Sequence, residues 1–213
     1  MINELRDVNA PDHVRLTDRI ERFRGPIFTI YDDEIEFASG DVARRQWMDH
    51  DDAVAVVALR PSDHDEEQWD VLLIRQYRHS PRRIMWEIPA GLRDEEGERE
   101  VLTAARELRE ETDFGASRWI RLVNFVTSPG VSNEDLGIYL ALDVEEAPLG
   151  QFVREAEEAE IVVEWFGLDH VTDAVMAGQL SSPTLVAGIL AANVALDRGL
   201  DRFHEIYLPL ADQ

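Results

Sequence analysis

An α/β sandwich built on a mixed sheet is the fold class that the order of elements predicts, and three stretches carry that expectation. Residues 53–59 read AVAVVAL, an unbroken apolar run of the kind used by a strand buried on both faces. Residues 98–112 contain no Gly or Pro and are rich in Glu, Arg, Ala and Leu. They carry Val101, Leu102, Ala105 and Leu108 as an apolar stripe, which predicts an amphipathic helix. A two-helix tail closes the chain: its second helix opens after Ser182-Pro183, carries Leu185, Val186, Ile189, Leu190, Val194 and Leu196, and stops at Gly199.

The other elements follow in chain order. Alternating residues predict short strands at 20–23, 27–31 and 34–37, then a Ser39-Gly40-Asp41 turn and a strand over 42–48. Residues 1–48 thus read as a small N-terminal antiparallel β subdomain, too small to bury its own apolar face, so it packs on the remainder or on a second subunit. Residues 49–213 form the second domain. Its strands are expected at 53–59, at 69–75 after the acidic turn 63–67, at 119–126, at 137–144 and at 161–166. A helix over 171–177, capped by Asp169 and ended by Gly178, precedes the last one.

Composition removes whole classes of chemistry. The 213 residues carry a formal net charge of −23, and every one of the 21 cationic residues is arginine. Such a balance disfavours a nucleic-acid partner. Without lysine there is no Walker-type phosphate loop and no Schiff base, and without cysteine there is no thiol nucleophile, disulfide or zinc–thiolate centre. The sequence contains no run of about 18 apolar residues, the length needed to span a bilayer, and the first 18 residues carry acids with no apolar stretch, so a cytoplasmic location is expected. The six histidines are scattered without ligand spacing, and Trp86, Trp119 and Trp165 adjoin expected strands as core.

What remains is carboxylate chemistry, and the 98–112 helix concentrates it. At about 100° per residue, Glu107 and Glu111 stack on one face and Glu110 flanks them. Carboxylates brought together this way repel one another unless a cation joins them. Arg106, four residues before Glu110, offsets part of that charge. A set of oxygen donors with no Cys and no local His suits Mg²⁺ or Mn²⁺ better than zinc. Glu98, nine residues before Glu107, would face the other way on a helix, so it acts from the preceding loop or as a structural partner.

The order Gly91, Glu98, Arg106-Glu107-Leu108-x-Glu110-Glu111 resembles the Nudix box, G-x5-E-x7-R-E-U-x-E-E-x-G-U with U apolar. Two departures leave the carboxylate spacing intact. Six residues separate Gly91 from Glu98, and Asp113 stands in place of the second glycine, where a helix end calls for a left-handed backbone that Gly115 could share. Gln76-Tyr77-Arg78, Trp86 to Gly91 and Ser128-Pro129-Gly130, with Pro129 fifteen residues past Phe114, are similar to the ADP-ribose pyrophosphatase branch, over roughly residues 17–195.

Several expectations come from the resemblance. It implies the α-β-α sandwich of that family, and a homodimer in which the N-terminal subdomain is exchanged. It assigns metal binding to Glu107, Glu111, nearby Glu110 and the backbone carbonyl of Ala90, with Arg106 orienting the carboxylates. Arg75, Arg78, Glu87, Pro129, Gly130 and Glu134 become substrate-binding candidates, with Glu134 assigned to the ribose. Glu157, with Glu158 second, becomes the catalytic base from the acidic stretch 155–160. The implied reaction is Mg²⁺-dependent (or Mn²⁺-dependent) hydrolysis of ADP-ribose to AMP and ribose 5-phosphate. Alternatives are hydrolysis of NADH, a sugar nucleotide or a diadenosine polyphosphate, or a non-catalytic ADP-ribose sensor on the same scaffold.

Overall fold

The structure is a computed structural model that describes residues 5–65, 67–94, 97–148 and 160–210. These residues form two compact units. One holds the described residues up to Asp51 together with Ser128–Glu134, and the other holds Asp52–Thr127 with the described residues from Asp135 onward.

The first unit is an antiparallel sheet of β1 (Arg15–Arg24), β2 (Phe28–Glu36) and β3 (Val42–His50), in that order. The expected break between 31 and 34 is absent: β2 runs straight through Asp32 and Asp33, which pair with Ile20 and Arg19 on one side and with Gln46 and Arg45 on the other. Both aspartates are buried, and each has donors from both neighbouring strands. Asp32 accepts from Arg22 at 2.6 Å, Arg44 at 2.9 Å and Gln46 at 2.8 Å. Asp33 accepts two bonds of 2.7 Å from Arg19 and one of 2.9 Å from Trp47 Nε1. The Arg22 and Arg44 hydrogen bonds pull Asp32 down to about 2, and Arg19 foremost pulls Asp33 below its ordinary value. An acidic pair that locally reads as a turn is thus strand, because arginines from other strands neutralise it. The segment Ser128–Glu134 joins this unit through Met48 N–H to the Val131 carbonyl at 2.7 Å, and through Asn133, which bonds Asp49 and the His50 N–H.

In the second unit a mixed sheet lies between helices. Its strands are β4 (Ala53–Pro61), β5 (Trp69–Arg78), β6 (Arg83–Glu87), β7 (Ala90–Leu92), β8 (Phe114–Val126), β9 (Asp135–Glu146), β10 (Val162–Gly167) and β11 (Glu205–Tyr207). The order is β10-β5-β4-β9-β8-β11, with β6 on β5 and β7 on β4; β4 and β9 run parallel and the other pairs antiparallel. The helices are α1 (Glu100–Thr112), α2 (Leu168–Met176) and α3 (Pro183–Arg198).

β4 shows why its sequence is apolar throughout. Ala53, Ala55, Val57 and Leu59 enter a core with α2 and α3, while Val54, Val56 and Ala58 enter a second core with Val101, Ala104, Ala105 and Leu108 of α1. Period-2 alternation puts successive residues into opposite layers, and each fully buried Val or Leu contributes about 1.5–3 kcal/mol. α1 is therefore fixed to one face and α2 and α3 to the other. Trp119 is fully buried, and Trp86 and Trp165 pack against the cores.

Several boundaries differ from the expected ones. α1 starts at Glu100 rather than 98. Its end is the left-handed turn expected of Asp113, with φ 61° and ψ 21°, and the Asp113 N–H donates to the Arg109 carbonyl at 2.9 Å. Gly115 takes no part in that turn: it is an ordinary residue of β8, opposite Glu145. β8 accordingly starts at Phe114, five residues before the expected strand. α2 begins at Leu168, so Asp169 lies in its first turn, where an acid suits the helix dipole, rather than before it. β6, β7 and β11 are short strands of mixed composition that periodicity did not reveal. Among the described residues no helix is long and apolar enough to cross a membrane.

Candidate active site

β7 and α1 bring the carboxylates to one place. β7 is held on β4, Ala90 opposite Ala55 and Gly91 opposite Val54, and α1 passes over it. A Cβ at Gly91 would overlap the Glu107 carboxylate. Only a residue without a side chain lets Glu107 approach the strand so closely. One turn further along, the buried Glu111 accepts a hydrogen bond of 2.9 Å from the Ala90 N–H.

Arg106 spans the acidic rim. Its Nη1 donates to Glu107 at 2.7 Å and to Glu110 at 3.3 Å, and its Nη2 donates to Asp94 at 3.2 Å and stands 3.8 Å from Glu98. Glu98 precedes the helix and accepts from Thr103 Oγ1 at 2.7 Å. From the sheet, buried Glu87 accepts from Arg78 Nη2 at 2.6 Å and from Gln76 at 3.1 Å. Arg78 lowers, and Glu87 raises, the proton affinity of Glu111. Arg75 is not part of this group: it sits on the opposite face of β5, its guanidinium 5.8 Å above the Trp86 ring, where Trp86 packs into the core shared with α2 and α3.

The arginines do not balance the acids. Burial pushes Glu107 up to about 7; Arg106 pulls it back in part and Glu110 pushes it further. Burial pushes Glu111 up to about 8, against the pull of the Ala90 N–H and with the repulsion of Glu107. Near neutral pH the pair is short of positive charge. Among the described residues no three Asp, Glu or His side chains already converge as an ion cage, and Arg106 stands between Glu107 and Glu110. The donors nevertheless fit a hard divalent cation: two adjacent, under-compensated carboxylates beside β7.

Three of the other expected site residues belong to the first unit, and two fall outside the described residues. Pro129 and Gly130 form a turn in the first unit, closed by Val131 and Ser132 N–H groups that both donate to the Ser128 carbonyl at 2.9 Å. Glu134 belongs to the same segment, 3.8 Å from His50 Nδ1. Glu157 and Glu158 lie outside the described residues. Sequence reasoning did not pair Glu87 with Arg78 and Gln76. It also missed the opposite faces of Arg75 and Arg78, although their odd separation within one strand was a signal for it.

Comparison with known proteins identifies the family. The NUDIX domain family model matches residues 49–184. The chain is 36% identical over 169 residues to the ADP-ribose pyrophosphatase of Mycobacterium tuberculosis, covering 79% of this chain and 78% of that one. To the ADP-ribose pyrophosphatase of Bacillus subtilis it is 34% identical over 140 residues, covering 66% and 70%. A crystal structure of an ADP compounds hydrolase shares the fold, with a TM-score of 0.72 at 21% identity over 90% of this chain and 98% of the other. The chain belongs to the Nudix hydrolases.

Proposed function

We propose that this Nudix hydrolase cleaves the diphosphate linkage of ADP-ribose with water, giving AMP and ribose 5-phosphate, with Mg²⁺ as the cofactor and Mn²⁺ as a substitute. The observation that carries the metal dependence is the Glu107–Glu111 pair, Glu111 buried and Glu107 partly buried, under-compensated beside Ala90 and Gly91. The choice of ADP-ribose is supported by the two relatives named for that activity. When bound, a divalent cation neutralises diphosphate oxygens and lowers the pKa of a bound water.

Glu107 and Glu111, with the Ala90 carbonyl, would hold the cation. Arg106 steers Glu107 and Glu110, and Glu87 fixes the guanidinium of Arg78 on the Glu111 side of the sheet, where it suits a phosphate oxygen. Glu157 accepts the proton of the attacking water, with Glu158 as second choice. Water adds to one phosphorus, the bridging P–O bond breaks, and the released phosphate keeps its electron pair. Glu134 binds the ribose, and Pro129 and Gly130 shape the turn before it. A homodimer and a cytoplasmic location complete the proposal, both resting on the resemblance and the composition.

The test is to incubate the protein with ADP-ribose and Mg²⁺ and quantify AMP, with Glu111→Gln, NADH and GDP-mannose in parallel. AMP release that disappears in the variant supports the proposal. Turnover of NADH or GDP-mannose alone keeps the mechanism and replaces the substrate, whereas tight ADP-ribose binding without turnover indicates a sensor. Glu157→Gln should lower kcat about 10²-fold and leave metal affinity unchanged; an unaltered rate removes it from the mechanism.

A further inference from the structure

Glu100 opens α1 and is absent from the set of expected site residues, yet it is the hub of a network that ties the helix to two strands and to the turn after β7. Its carboxylate accepts from Tyr139 of β9 at 3.1 Å, and pairs with Arg121 of β8 at 3.1 Å and with Arg93, just after β7, at 3.2 Å. Arg93 is itself anchored at the start of β4, its N–H donating to the Asp52 carbonyl at 2.8 Å and its Nη1 to the Asp52 carboxylate at 3.4 Å. Asp52 also receives the Asp135 N–H at 3.1 Å. Beneath the hub lies Gly137 of β9, where an added Cβ would stand 3.6 Å from Glu100 Oε2 and 3.8 Å from Arg121.

Position along the helix gives this network its consequence. Glu107 and Glu111 follow Glu100 by seven and eleven residues, which at about 100° per residue returns them to within about 20° of the same face. The face is thus held at both ends, by Glu100 on β8, β9 and Arg93, and by Glu111 on Ala90. Between them, Glu107 meets Gly91 so closely that sliding the helix by one residue, about 1.5 Å with a 100° turn, would take its carboxylate off the glycine. At Glu100, Tyr139 and Arg121 from two strands and Arg93 from the turn after a third converge on one carboxylate.

We infer that Glu100 is a positioning residue, which through Tyr139, Arg121 and Arg93 sets the register of α1 on the sheet and so places Glu107 and Glu111 for metal binding. The inference rests on the proposed metal-dependent reading of that pair.

The test is Mn²⁺ binding to the substrate-free protein, followed by electron paramagnetic resonance of the free ion, for wild type, Glu100→Ala, Glu100→Gln, Tyr139→Phe and the double variant Glu100→Ala/Tyr139→Phe. Glu100→Ala should raise the Mn²⁺ Kd about tenfold and lower kcat with little change in KM. Glu100→Gln, which keeps an acceptor for Tyr139, should recover part of the loss. Tyr139→Phe should weaken binding on its own and add nothing in the Glu100→Ala background. Should Glu100→Ala fail to fold, Tyr139→Phe gives the same readout by removing a single hydroxyl. A lowered melting temperature with wild-type Mn²⁺ Kd in these variants overturns the positioning role alone. Absence of Mn²⁺ binding in the wild type overturns the metal reading and the role of Glu100 with it, while binding without ADP-ribose turnover overturns only the substrate.

Discussion

Each unit of this protein draws a pair of acids wholly or partly out of solvent, and the two pairs meet opposite fates. In the three-stranded sheet, Asp32 and Asp33 collect Arg22, Arg44, Gln46, Arg19 and Trp47 as donors, and both are held below the usual carboxylate range. Beside β7, Glu107 and Glu111 have Arg106 and one backbone N–H as their direct donors among the described residues, and burial drives them up to about 7 and about 8. The first pair is complete as it stands and its role is structural. The second is unfavourable for the isolated chain, an imbalance that the proposed cation would relieve, whereas the first is already an ion-pair network.

The sharpest way to break that comparison is to neutralise the second pair. Glu107→Gln or Glu111→Gln should lower kcat by about 10²-fold or more, yet leave the metal-free protein at least as stable as wild type at pH 8. Assay of AMP release alongside melting curves in chelator reads both; a clear loss of metal-free stability would mean that these carboxylates hold the fold. Next in size is Gly91→Ala, whose Cβ would overlap the Glu107 carboxylate. Displacing it should lower kcat about 10- to 100-fold, and a wild-type rate would show that Glu107 works from another position.

The pH dependence separates the pairs by sign. Glu107 and Glu111 start from an ordinary value of 4.5 and are raised in the fold, so between about 4.5 and 7–8 the folded protein binds protons that the unfolded chain has lost. Metal-free stability should therefore fall as pH rises through that window, by at most about 1.4 kcal/mol per pH unit per group. Cation affinity should rise over the same range as the protons leave. Asp32, lowered from 3.8 to about 2, contributes stability that is present above 3.8 and lost as pH falls through about 2. Melting temperatures from pH 2 to 9, with and without Glu107→Gln, test both slopes; a flat wild-type profile between pH 5 and 8 contradicts the raised pair. Smallest is Asp33→Ala, which leaves Trp47 Nε1 without its acceptor and should cost about 1–2 kcal/mol in urea unfolding, the low end because Arg19 is partly solvated.

Much of the second unit was legible in the residues. The run 53–59 announced a strand buried on both faces, the 98–112 stripe announced α1, and the spacing of Glu107, Glu110 and Glu111 announced the acidic face, because a helix sets its neighbours three and four residues apart by geometry alone. Asp113 was readable for a similar reason, since a helix end has its own backbone demand. Less was legible in the first unit, where Asp32-Asp33 reads locally as a turn and becomes strand only when Arg19, Arg22 and Arg44 arrive from β1 and β3.

By itself the sequence determined which side chains share a helix face, which strand is buried on both sides, and the family to which that pattern belongs. Only the tertiary structure decided which charges are answered. It paired Glu87 with Arg78 and turned Arg75 away onto Trp86, satisfied Asp32 and Asp33, left Glu107 and Glu111 short of positive charge, and made Glu100 the anchor of α1. The physical reason is that helix spacing is a local property of the chain. The compensation of a buried charge depends on donors that are brought in from distant segments by strand pairing and packing.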